Sequence, residues 1–151
     1  MAIRIKTQEQ IDGIRKSSQL AAKVLKYLEQ YVVAGNTTKF INDKALEFIL
    51  DHGAKSATLG YKGHGAPPFS GAICASPNEV ICHGVPNQYT LKDGDILNID
   101  VTTILNGYFG DTCKMYAVGE ISKNAQDLID VTKECLKIGV KECRPGNRFG
   151  N

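Results

Sequence analysis

The run "NIDVTTILNGYFGDTCKM", residues 98–115, constrains the fold of this chain more than any other stretch. Two segments rich in β-branched and aromatic residues flank Asn106-Gly107. Asn-Gly suits the two positive-φ positions of a type I′ turn, whose twist matches that of antiparallel strands. With a two-residue turn Leu105 faces Tyr108. Register then sets Thr102 opposite Asp111 and Asp100 opposite Cys113, provided no bulge intervenes. Because side chains alternate between faces, Asp100 and Asp111 become diagonal neighbours on one face, about 7–8 Å apart at the backbone.

Two carboxylates that close repel each other unless one keeps its proton or a cation lies between them. Hard divalent cations take oxygen ligands, and paired metals are often bridged by carboxylates, so a metal site is one reading of the pair. The other is a solvated sheet face that holds nothing. Aspartate is poorly suited to strands, and the opposite face carries Leu97, Ile99, Val101 and Leu105, which leads to the expectation that both faces are covered.

Upstream, the pattern changes from period two to period 3.6. Ile11, Ile14, Leu20, Ala21, Val24, Leu25 and Leu28 recur at helical spacing from residue 7 to about 33, and "TQEQ" at the start has the form of a capping box. A second helix follows in "TTKFINDKALEFILDHG", stopped by Gly53. The Gly- and Pro-rich run from Tyr61 to Asp95 reads as loops broken by short strands near residues 72–75 and 80–82. A last helix begins after Ser122. Helices, an antiparallel sheet and a further helix make an α+β arrangement in a single domain spanning residues 1–151.

Composition narrows the function classes. A net charge of +2 is too small and too evenly spread to argue for nucleic acid, and no apolar run is long enough to span a membrane. Five cysteines without a CxxC pair form neither a zinc ribbon nor a disulfide framework, which suits a reducing, cytoplasmic setting.

"DGDILNIDVTTILNGYFGDTCKM" resembles the metal-binding hairpin of the methionine aminopeptidases, and "NEVICHGVP" is similar to the segment that precedes it in the bacterial-type (type I) members. The similarity runs from the first helix to "RPGNRFG". It implies the N-terminal half of the pita-bread (creatinase/aminopeptidase) fold, with helices on one side of a curved antiparallel sheet. It also implies a cytoplasmic enzyme that removes the initiator methionine from nascent polypeptides. By motif, Asp100 and Asp111 would bridge two divalent metal ions (Co, Mn, Fe or Zn), which serve as nucleophile source and Lewis acid. His83 would act as the catalytic histidine that contacts substrate near the scissile amide. Tyr61 and Cys74 match positions near the pocket for the methionine side chain, and Asn78 and Val80 match a segment whose backbone holds a monovalent cation in some members.

Two departures accompany the resemblance. The family completes its metal shell with a histidine and two glutamates from a second half, and neither His52 nor His64 stands in that context. His64 also occupies a position where the family more often has an aromatic residue. The expectation is therefore the N-terminal part of a metalloaminopeptidase catalytic domain, truncated and of low or no activity, prone to self-associate through a bare sheet edge. Two other readings stand beside it: a non-catalytic binding module of the same fold, and a dimer in which two copies replace each other's missing half.

Overall fold

The computed structural model describes residues 4–63, 65, 67–148 and 150. These fall into two compact units, residues 1–120 and 121–151. In the first, helix α1 (Gln8–Leu28) runs into a 3-10 turn (Glu29–Tyr31), followed by α2 (Thr38–Asp51), β1 (Lys55–Ser56), β2 (Cys74–Pro77), β3 (Ile96–Leu105) and β4 (Tyr108–Ala117). The second unit holds α3 (Lys123–Glu142).

Helix α1 starts where its sequence says it should. Thr7 accepts from the Gln10 amide while the Gln10 side chain accepts from the Thr7 amide, so two orphan donors are satisfied reciprocally. It buries Ser17, Leu20, Ala21, Val24, Leu25 and Leu28 along one stripe. Helix α2 is capped by Thr37, whose hydroxyl accepts from the Phe40 amide, and the chain leaves it through Gly53 at φ +69°. Its buried Ile41, Ala45 and Ile49 join the α1 stripe in one core.

Strand β3 is the centre of the sheet. It pairs with β4 along its whole length from Ile96↔Ala117 to Leu105↔Tyr108, so β1 and β2 share its other edge, β2 beside Leu97–Asp100 and β1 beside Thr103–Ile104. All three pairings are antiparallel. Leu97, Ile99, Val101 and Thr103 are fully buried, and the alternate residues are half-buried. The buried row packs into the core shared with α1 and α2, which places both helices on one side of the sheet.

The contact between α1 and the hairpin is set at two points. Thr103 Oγ1 donates to Ser17 O at 3.0 Å, and the Ser17 hydroxyl lies 3.0 Å from Thr103 Oγ1 and 3.1 Å from Thr103 O. Directly opposite Thr103 stands Gly110, where a Cβ would collide with the backbone of Ser17 and Ser18. The absence of a side chain at Gly110 lets the helix approach to backbone contact. Tyr116 OH adds a third tie, donating to Leu25 O at 2.6 Å.

Three expectations change. Helix α1 ends at Leu28 rather than near residue 33, the last turn tightening to 3-10. The strand expected near residues 72–75 runs instead from Cys74 to Pro77. No strand forms at residues 80–82: Asn78 takes φ +48°, Val80 N turns back onto Pro77 O at 3.0 Å, and Ile81 is 93% exposed. The apolar run that suggested a strand lies on a loop, held by a polar cluster at its base. There Asp95 accepts from Asn78 Nδ2, Tyr89 OH and Lys92 N at 3.0, 2.9 and 2.9 Å, and Asn78 Oδ1 accepts from Ile96 N at 3.1 Å.

Helix α3 is capped by Ser122, whose hydroxyl accepts from the Ala125 amide at 3.2 Å. Its Leu128, Val131, Leu136, Ile138 and Val140 are exposed. Among the described residues, no helix is long and apolar enough to cross a membrane.

Candidate metal centre

The hairpin carries the register that its turn dictates. Asn106 and Gly107 take φ +51° and +82°, and Thr102 faces Asp111 while Asp100 faces Cys113, with no bulge. Asp100 and Asp111 therefore share the face turned away from the helices. On the opposite flank of β3, Cys74 is the direct partner of Asp100, so a row Cys74–Asp100–Cys113 crosses three strands.

The electrostatics record how close the carboxylates are. Burial pushes the Asp100 carboxyl above its usual range, and the charge of Asp111 and a hydrogen bond shared with it push the same way. His83 opposes the shift, which places its ring within electrostatic reach of Asp100. Asp111 is held from its other side by Thr102, whose hydroxyl donates to Oδ1 at 2.9 Å. Burial raises the Cys74 thiol to about 11, with further contributions from Asp100, Cys82 and Asp111.

This face is wetter than the strand residues suggested. Asp111 and Cys113 are exposed, and Asn98, Asp100 and Thr102 are half-buried. Leu97, Ile99 and Val101 all point to the helix side, so their apolar character covers that face alone. The expectation that both faces are covered holds only in part: on this face Cys74 and Ser76 of β2 are buried, whereas Asp111 and Cys113 of β4 are exposed.

The other sequence candidates are placed unevenly. His83 sits in a left-handed conformation, φ +55°, on the loop after β2, and Cys74 lies beside Asp100. Tyr61 is 65% exposed in the loop between β1 and β2, its amide donating to Thr58 O and its carbonyl accepting from Phe69 N. Asn78 N donates to Ile96 O, extending the β2–β3 ladder by one step, and Val80 is exposed. His52 closes α2, with Nδ1 2.8 Å from Phe48 O and its ring stacked on Phe48. His64 lies outside the described residues. Among the described residues, no group of three or more His, Cys, Asp or Glu side chains is arranged to hold a metal ion.

Sequence reasoning passed over Ser76, whose hydroxyl accepts from Gly84 N at 3.0 Å beside His83. Only the β2–β3 register reveals it, and β2 has no turn signal of its own.

Two carboxylates on one face of a strand hairpin, with helices behind the sheet, form the candidate centre. The sequence profile of metallopeptidase family M24 matches residues 12–151, and the chain belongs to that family. It is 50% identical over 143 residues to methionine aminopeptidase B of Synechocystis, an overlap of 94% of this chain and 52% of that protein. With the methionine aminopeptidase of Rickettsia prowazekii it shares 42% identity over 151 residues, 100% of this chain and 56% of that one. The crystal structure of the Thermotoga maritima methionine aminopeptidase superposes with a TM-score of 0.89 at 33% identity, covering 96% of this chain and 57% of that one. The architecture is that of the pita-bread fold. The chain spans about half the length of the curated relatives it matches.

Proposed function

We propose that this chain is the N-terminal part of the catalytic domain of a metal-dependent aminopeptidase that removes the initiator methionine from nascent proteins in the cytoplasm. The observation that supports this best is the convergence of Asp100 and Asp111 on one face of an unbulged hairpin. Their chemistry fits the group the family implies. A carboxyl held above its usual range by burial and by a neighbouring carboxylate's charge is an arrangement that a divalent ion relieves.

Asp100 and Asp111 would hold two divalent ions between them, drawn from Mn, Fe, Co or Zn. When bound, such ions supply Lewis-acid polarisation of the scissile carbonyl and activation of water. Thr102 fixes the orientation of Asp111. His83, within electrostatic reach of Asp100, would donate to or accept from the scissile amide and orient it. Cys74 and Tyr61 would border the space for the methionine side chain, Cys74 as a neutral thiol.

Two carboxylates are a thin shell, since divalent ions in such sites take several protein ligands each. Metal binding by these two carboxylates alone would be weak. Strand β4 has one edge without a partner among the described residues, and self-association through that edge is part of the same reading.

Calorimetric titration with Mn²⁺ tests the proposal. Binding that Asp100→Asn abolishes is the expected result, and equal affinity in both proteins would sink the assignment. The lack of a three-ligand cluster is also what a non-catalytic binding module would show. Undetectable Mn²⁺ and Co²⁺ binding by the unmodified chain selects that module.

A further inference from the structure

A histidine at φ +55° carries backbone strain, which persists only when its surroundings over-determine it. The next residue shows what does so. Gly84 N donates to Ser76 Oγ at 3.0 Å, and Gly84 O accepts from Ala75 N at 2.9 Å, so the His83–Gly84 turn is clamped to β2 at two adjacent residues. No side chain would fit at Gly84, because its Cβ would collide with the Ala75 carbonyl.

Ser76 is 2% exposed and pairs with Asn98 in the ladder that pairs Cys74 with Asp100. Residues two apart on a strand share a face, so the Ser76 hydroxyl is on the carboxylate side of the sheet. The backbone half of the clamp is available to any residue but proline at position 75. The hydroxyl half depends on the side chain at 76, and it acts on the amide directly after His83.

We propose that Ser76 is a positioning residue for His83, its hydroxyl fixing the His83–Gly84 turn over Asp100 so that the imidazole can meet the scissile amide. This rests on the reading of His83 as a substrate-contacting residue. Ser76 itself touches neither metal nor substrate, and it acts through His83 alone.

The experiment compares Ser76→Ala, His83→Ala and the double variant with the unmodified protein, all Mn²⁺-loaded. Amide exchange at residues 83–85 and the rate of His83 carbethoxylation by diethyl pyrocarbonate are measured first, then hydrolysis of a methionyl peptide. Ser76→Ala is expected to speed exchange at Gly84 and change the carbethoxylation rate. Mn²⁺ affinity should stay within twofold, and kcat should fall about tenfold. The double variant should match His83→Ala, since the hydroxyl has nothing left to act through. Unchanged exchange and carbethoxylation in Ser76→Ala overturn the inference whatever the turnover, as do additive losses in the double variant. Wild-type hydrolysis by His83→Ala instead overturns the reading of His83, and the positioning role with it.

Discussion

Thr102 and Asp111 face each other across the β3–β4 hairpin, and the threonine hydroxyl donates to Asp111 Oδ1 at 2.9 Å. The bond ties one oxygen of Asp111 to the neighbouring strand. A strand pair thereby converts a flexible carboxylate into one with a defined direction.

Thr102→Val keeps the β-branched shape and removes that donor. Mn²⁺ affinity measured by calorimetry should fall about tenfold, in line with the loss of an outer hydrogen bond to a metal-ligating carboxylate. Melting temperature should change little, because the site is half exposed. Unaltered affinity would mean that Asp111 needs no such partner.

The raised carboxyl of Asp100 makes metal-free stability depend on pH. A carboxylic acid whose folded pKa lies above its unfolded value favours the fold fully below the unfolded pKa, and that contribution is lost as pH rises through the folded one. Metal-free protein should therefore lose part of its stability from about pH 4 upward, and Asp100→Asn should lack that loss. Thermal melts from pH 3 to 7 decide it. A variant with the same slope as the parent would place the titration elsewhere.

Gly110→Ala drives a methyl group into the backbone of Ser17 and Ser18. Overpacking against backbone costs about 1–3 kcal/mol, and α1 cannot withdraw without breaking the Ser17–Thr103 bonds. Urea unfolding should show a loss at or above the upper end of that range. A neutral result would show that α1 slides freely on the hairpin.

The five cysteines should separate by reactivity. Cys74 is buried with its thiol raised to about 11, so at pH 8 only about one in a thousand is thiolate, whereas Cys82 and Cys113 are exposed. Mass spectrometry after brief iodoacetamide treatment of the folded protein should find Cys82 and Cys113 alkylated and Cys74 unmodified. Early labelling of Cys74 would contradict its placement beside Asp100.

The residues that were legible in the sequence share one property: their partners are near them in the chain. Thr7 and Gln10 close the capping box across three positions, and Asn106-Gly107 sets ten cross-strand pairs by counting outward from the turn. That count is what placed Asp100 diagonal to Asp111. Where the sequence misled, the deciding contact was distant. Val80 and Ile81 resemble a strand, yet Asn78 and Asp95, seventeen residues apart, hold that segment as a loop.

By itself, then, the sequence determined the hairpin, its register and the shared face of the two carboxylates, because turn geometry and the two-residue period of a strand are local. Tertiary structure decided which face the helices cover, how close α1 comes at Gly110, and that His83 comes within electrostatic reach of Asp100. Those depend on the pairing of β2 with β3 and on the clamp from Ser76 to Gly84, contacts between segments that no local period relates.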